Sequence, residues 1–149
     1  MCLFLRKNGY EEGEKGKDIK WNKDGERTFY KVYYKTNNYK IKNTSGKRYL
    51  RSIYRRDVIT GAGTVVSDRT SQTLSNDYET RSVDHGIHVF LDREDAEVEA
   101  ERYNCVDVDV VPVRCKKSDF VATGWFFDAP SAVFMKVLID NKTWKRIWK

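Results

Sequence analysis

Between Lys20 and Arg56 this 149-residue chain interleaves 12 lysines and arginines with eight aromatic residues. Cations alternating with π-faces suit three tasks: contact with phosphates plus base stacking, the centre of a protein–protein contact, or an ordinary sheet with tyrosines inward and lysines solvated. The candidate contact residues of this block are Tyr33, Tyr34, Lys35, Tyr39, Arg51, Arg55 and Arg56. A second candidate element is the run Val66-Ser67-Asp68-Arg69-Thr70-Ser71-Gln72, which is dense in hydrogen-bonding groups. There Arg69 offers a planar guanidinium to an anion and Ser67 a hydroxyl beside it. The plain alternative is a solvated loop whose small polar residues serve turns.

Other constellations fail on spacing. Gly61-Ala62-Gly63 has Val66 where a dinucleotide fingerprint requires its third glycine. Gly46-Lys47 is followed by Arg48 instead of Ser or Thr, so it is no P-loop. His85 and His88 have opposite strand parity, so their side chains diverge instead of sharing a metal with Asp84, Cys105 or Cys115. Ser67 or Ser71 with a histidine and Asp84 lacks the nucleophile elbow of a hydrolase. The sequence therefore predicts no catalytic residue, no metal ligand and no cofactor.

Charge is distributed in blocks. Residues 1–60 carry 16 basic and 7 acidic residues, residues 61–111 carry 4 and 12, and residues 112–149 carry 8 and 3. If the blocks stay apart on folding, the surface is dipolar, with an acidic face that includes Asp92, Glu94, Asp95, Glu97, Glu99, Glu101, Asp107 and Asp109. No run approaches the ~20 apolar residues of a membrane span. Met1–Leu5 is too short for a signal peptide, and three cysteines without close pairing fit a reducing compartment. The expectation is a cytoplasmic protein with no membrane partner.

The elements that must position these residues are legible in part. Residues 1–28 read as a flexible or loosely docked arm with Trp21 as its anchor, and residues 29–149 as one domain. Phe29–Lys35 alternates as a strand, and Gly86–Leu91 is a short buried strand leading, through Asp92, into a helix over about 92–103. Cys105–Val110 alternates cleanly, but Val111, Val113 and Cys115 take the opposite parity, which predicts a bulge or edge at Pro112. Ser131–Asp140 is apolar on both faces and reads as one central strand. Trp144, Ile147 and Trp148 fall at i, i+3, i+4, the spacing of a docked helical turn. Between them, residues about 60–84 form a long polar loop. The fold class is α+β: a mainly antiparallel twisted sheet with one clear helix.

Met1-Cys2-Leu3, Tyr30-Lys31-Val32-Tyr33, Gly86-Ile87-His88-Val89-Phe90 leading into Glu94-Asp95-Ala96, and Val111-Pro112-Val113 resemble the corresponding segments of a family of small uncharacterised bacteriophage and prophage proteins. The resemblance carries over no catalytic or binding residue. It implies a phage setting, where small proteins act by binding and disabling host or defence components. The leading expectation is thus a non-enzymatic inhibitor or sequestering factor whose partner is a host or defence protein. Two alternatives stand beside it. One is direct binding of single-stranded nucleic acid or RNA. The other is a small enzyme, since a polar loop before the Gly-Ile-His-Val-Phe strand is similar to ADP-ribosyltransferase-like folds, although the Arg or His, Ser/Thr and Glu trio of such an enzyme is not assembled here.

Overall fold

Alternation along residues 26–36 builds the central strand. Phe29 and Tyr33 point to one side and are 0% and 1% exposed, while Val32 faces the other side, also buried. A side-chain turn starts this strand. The Asn22 carboxamide oxygen accepts from the backbone N–H groups of Asp24 and Glu26 at 3.0 and 2.8 Å. Gly25, at φ 71°, supplies the left-handed residue that the turn requires.

The computed structural model describes residues 3–4, 19–36, 48–53, 58–67, 72–75, 80–83, 86–103, 107–126 and 128–149. The strands in chain order are β1 (Leu3–Phe4), β2 (Glu26–Thr36), β3 (Tyr49–Ser52), β4 (Val58–Ile59), β5 (Gly63–Val66), β6 (Gln72–Ser75), β7 (Thr80–Val83), β8 (Ile87–Phe90), β9 (Val108–Lys116), β10 (Phe120–Phe126), β11 (Ala129–Phe134) and β12 (Lys136–Ile139). The helices are α1 (Arg93–Glu101) and α2 (Asn141–Ile147). Every pairing is antiparallel, in the order β5-β12-β9-β2-β8-β11-β10-β1-β7-β6, with β3 and β4 branching from β2.

β11 and β12 are joined by the single residue Met135, yet β9, β2 and β8 lie between them in the sheet. The sheet must therefore curl until the two ends of this run meet. Met135 secures the corner: its N–H donates to the Asp119 carbonyl and its carbonyl accepts from the Ser67 N–H, both at 2.8 Å. This corrects the reading of Ser131–Asp140 as one central strand. Its two apolar faces exist because two strands at opposite ends of the curl share one core.

That core holds Phe29, Tyr33, Val89, Val111, Val113, Phe134, Val137 and Ile139. Trp21 closes one end, with ring centroids 6.0 Å from Phe29, 6.0 Å from Phe134 and 6.2 Å from Phe120. A smaller layer of Val32, Phe90, Val110 and Phe126 occupies the other face, under Ala96 of α1.

These two layers also correct the bulge expected at Pro112. The β2–β9 register runs unbroken from Glu26↔Lys116 to Tyr34↔Val108. Val110 faces the α1 layer and Val111, Val113 and Cys115 face the main core, so the parity change reflects burial on both faces, with no extra residue. β12 leaves β9 after Arg114, and α2 flanks the outer edge of β9 at Pro112, a setting that tolerates a strand proline.

The segment 60–84, expected as a loop, contributes β5 and the β6–β7 hairpin, with residues 68–71, 76–79 and 84 outside the described residues. Short β-branched runs, Thr64-Val65-Val66 among them, pair into the sheet despite their polar surroundings. Of residues 1–28, β1 pairs with β10 and β7, and Ile19 is buried in the core, whereas residues 5–18 lie outside the described residues. No described helix is long and apolar enough to cross a membrane.

Candidate anion-binding surface

Two cations of the basic–aromatic block are structural stitches. β8 joins β2 only at Tyr30↔Phe90. Beyond that point the Lys31 ammonium donates to the His88 carbonyl at 2.9 Å and the Arg27 guanidinium to the Leu91 carbonyl at 3.3 Å. Carbonyls at the splayed edge are thus satisfied by side chains of the neighbouring strand.

The sequence-derived contact residues divide between the two faces of β2. Tyr33 is a core ring with the Lys31 ammonium 5.5 Å from its centroid, so it is not a surface contact. Tyr34 lies on the α1 face, edge-on to Tyr103 at 5.9 Å, with Arg51 exposed opposite it across the strand pair. Ser67 is buried at the Met135 corner, where its backbone is used structurally, and this removes it as a surface contact. Tyr39, Arg55, Arg56 and Arg69 lie outside the described residues. Lys35 is on the Tyr33 side, and its ammonium sits 5.4 Å from the centroid of Trp148.

The last contact leads to a surface that sequence reasoning did not assemble. α2 is amphipathic: Ile147 is buried, and Trp144 and Trp148 pack edge-on at 5.8 Å against the main core. The opposite side exposes Lys142, Lys145, Arg146 and, just past the C-cap, Lys149. These side chains, with Thr143 and Pro112, line an open groove of about 490 Å³. Arg48 joins from the position just before β3: its guanidinium donates to the Trp148 carbonyl at 3.1 Å and lies 5.8 Å from the ring. The two basic sequence blocks therefore meet at α2. Among the described residues none of Lys35, Arg48, Lys142, Lys145, Arg146 and Lys149 is ion-paired. The spacing of the tail tryptophans was the available signal, because a buried i, i+3, i+4 stripe leaves the intervening cations on the outer face.

Asp140 anchors α2. Its carboxylate accepts from the Thr143 N–H at 2.7 Å as an N-cap, with Arg114 at 3.6 Å. That backbone hydrogen bond holds the carboxyl below the usual carboxylate range, helped by the Thr143 side chain and the charges of Arg114 and Lys142.

Negative charge gathers on the other helix. Asp92, Glu94, Glu97 and Glu101 are exposed along α1, and Glu99 is buried, accepting from the Tyr103 hydroxyl at 3.4 Å with Arg102 at 3.5 Å. Burial first, then the like charges of Asp92 and Glu94, push the Asp95 carboxyl up.

His88 is buried with Nδ1 3.2 Å from the Gly86 carbonyl, and no group of three or more described His, Cys, Asp or Glu residues is placed to hold a metal. His85, Asp84 and Cys105 lie outside the described residues. Comparison with protein-family models, with curated proteins and with solved structures finds no match.

Proposed function

We propose that this chain is a non-enzymatic binding protein of a phage setting that inhibits or sequesters a host or defence protein through its basic surface. The observation that supports the reading is the convergence of Lys35 and Arg48 on Trp148, beside α2 cations that form no ion pair among the described residues. The exposed like charges of Lys142, Lys145 and Arg146 on so short a helix repel one another, a cost of about 0.2–0.5 kcal/mol per neighbouring pair, which an anionic partner removes. Base stacking is the weaker reading. Among the described aromatic residues of the block, Phe29, Tyr33 and Tyr49 are at most 2% exposed, and Trp21 is packed among Phe29, Phe120 and Phe134.

Affinity capture from host lysate, with and without nuclease, tests the proposal. A stoichiometric protein that survives nuclease and is lost with the R48E/K145E/R146E variant is the expected result. Recovery of nucleic acid alone, or equal capture by the variant, overturns it.

A further inference from the structure

The two helices carry stripes of opposite charge at the same spacing. On α1, Glu94, Glu97, Val98 and Glu101 stand at i, i+3, i+4 and i+7, all exposed, and Val98 is 58% exposed, one of few large apolar side chains in solvent. On α2 and just past its C-cap, Lys142, Lys145, Arg146 and Lys149 stand at i, i+3, i+4 and i+7 in sequence. From Glu94 to Glu101 the acidic row spans about 10 Å of helix, and the helical part of the basic row, Lys142 to Arg146, about 6 Å, with Lys149 extending it past the C-cap. α1 covers the Val32–Phe90 layer, whereas α2 packs its tryptophans and Ile147 against the main core.

Each stripe lacks what the other has. The acidic row is crowded: of its carboxylates only Glu97 is ion-paired among the described residues, to Arg93 at 3.0 Å, and that pair is half-exposed and weak. The basic row forms no ion pair among the described residues, and the one carboxylate shown to feel its charge is that of Asp140, next to Lys142. The groove beside it is floored by the Pro112 ring and the stems of Lys142, Lys145 and Arg146, an apolar bed with cationic tips. Val98, flanked by carboxylates, has the complementary form.

We infer that the acidic α1 stripe of one copy docks on the basic α2 groove of a second copy, with Val98 seated against Pro112 and the carboxylates of Glu94, Glu97 and Glu101 meeting Lys142, Lys145, Arg146 and Lys149. Such a contact is heterologous, using different patches on the two copies, and so produces head-to-tail assemblies in place of a two-fold dimer. One helix on one groove buries far less than the ~1,200 Å² of a stable complex, which makes the association weak and salt-sensitive.

Pure protein suffices for the test, so its outcome is separate from that of partner capture. Sedimentation equilibrium at low salt, over about 10–500 µM protein, is expected to give an average mass rising above 17.5 kDa, returning to the monomer value at about 0.5 M salt, where charges are screened within ~4 Å. The E97K/E101K and K145E/R146E variants, checked for wild-type circular dichroism, are each expected to stay monomeric. Mixed together they regain association, because each then presents the charge the other lacks. A wild type that is monomeric throughout, association indifferent to salt, or a mixture that stays monomeric overturns the inference.

Discussion

Arg48 donates a hydrogen bond to the Trp148 carbonyl at 3.1 Å across 100 positions of sequence, and its guanidinium lies 5.8 Å from the same residue's ring. With the Lys35 ammonium 5.4 Å from that ring, one tryptophan gathers a cation of β2 and the one just before β3 against the C-terminal helix. Trp148 thus ties Lys35 and Arg48 to the helix that carries the other cations.

Trp148→Ala is accordingly expected to destabilise the fold by about 2–3 kcal/mol, somewhat below the cost of truncating a fully buried tryptophan. The melting temperature should fall by about 4–12 °C for a chain of this size. Urea unfolding followed by far-UV circular dichroism checks it, and a loss under about 0.5 kcal/mol would show that α2 does not depend on this anchor.

Lys145→Glu with Arg146→Glu behaves differently. Both side chains are exposed and bound to no described carboxylate, so stability is expected to change by less than about 0.5 kcal/mol. A melting curve superimposing on the wild type, together with loss of partner capture, separates a recognition surface from a structural one.

Asp140→Ala removes the α2 N-cap and is expected to cost about 1 kcal/mol at neutral pH. The folded-state carboxyl is held below its unfolded value, so its contribution is complete above about pH 4 and is lost as pH falls through the lower folded value. Unfolding free energies of wild type and variant should therefore converge toward acid, and a gap that persists at pH 2 would contradict the capping role.

Cys115 is 1% exposed in the main core, and burial, reinforced by Asp119, pushes its thiol far up. It should resist iodoacetamide in the folded protein and react only on unfolding, as read by peptide mapping. Because the folded value is the higher, its stabilising contribution is complete below the unfolded thiol's value near 8.5 and declines at higher pH. Cys115→Val should flatten the alkaline limb of the stability profile.

Local patterns in the sequence were sufficient for the central strand, for the strand before α1, and for α1 itself, expected over about 92–103 and found at Arg93–Glu101. Each is a segment whose periodicity and neighbours agree. The failures share one cause, which is that burial on two faces cannot be told from a break in a strand. Val110 and Val111 looked like a phase slip because each belongs to a different core layer. Residues 131–140 looked continuous because the corner at Met135 is made by Asp119 and Ser67, residues remote in sequence. For the surface, the basic–aromatic block was visible, but Trp21, Phe29, Tyr33 and Tyr49 serve the interior, and Lys31 and Arg27 hold the His88 and Leu91 carbonyls. Convergence of Lys35, Arg48 and the α2 cations is a property of the tertiary fold, which spacing alone does not encode.

The unbroken register from Glu26↔Lys116 to Tyr34↔Val108 also has a consequence for how the chain comes into being. β2 emerges early from the ribosome, while its long partner β9 follows only after α1 has been made. At ~5–20 residues per second, β2 waits several seconds before that ladder closes. During that interval Phe29, Val32 and Tyr33, which end at most 5% exposed, have no finished core to enter. Pairing across so long an intervening segment is slow in isolated chains as well. The alternation of Lys31 and Lys35 among these rings keeps the nascent strand charged, the same device that discourages edge-to-edge aggregation in finished sheets.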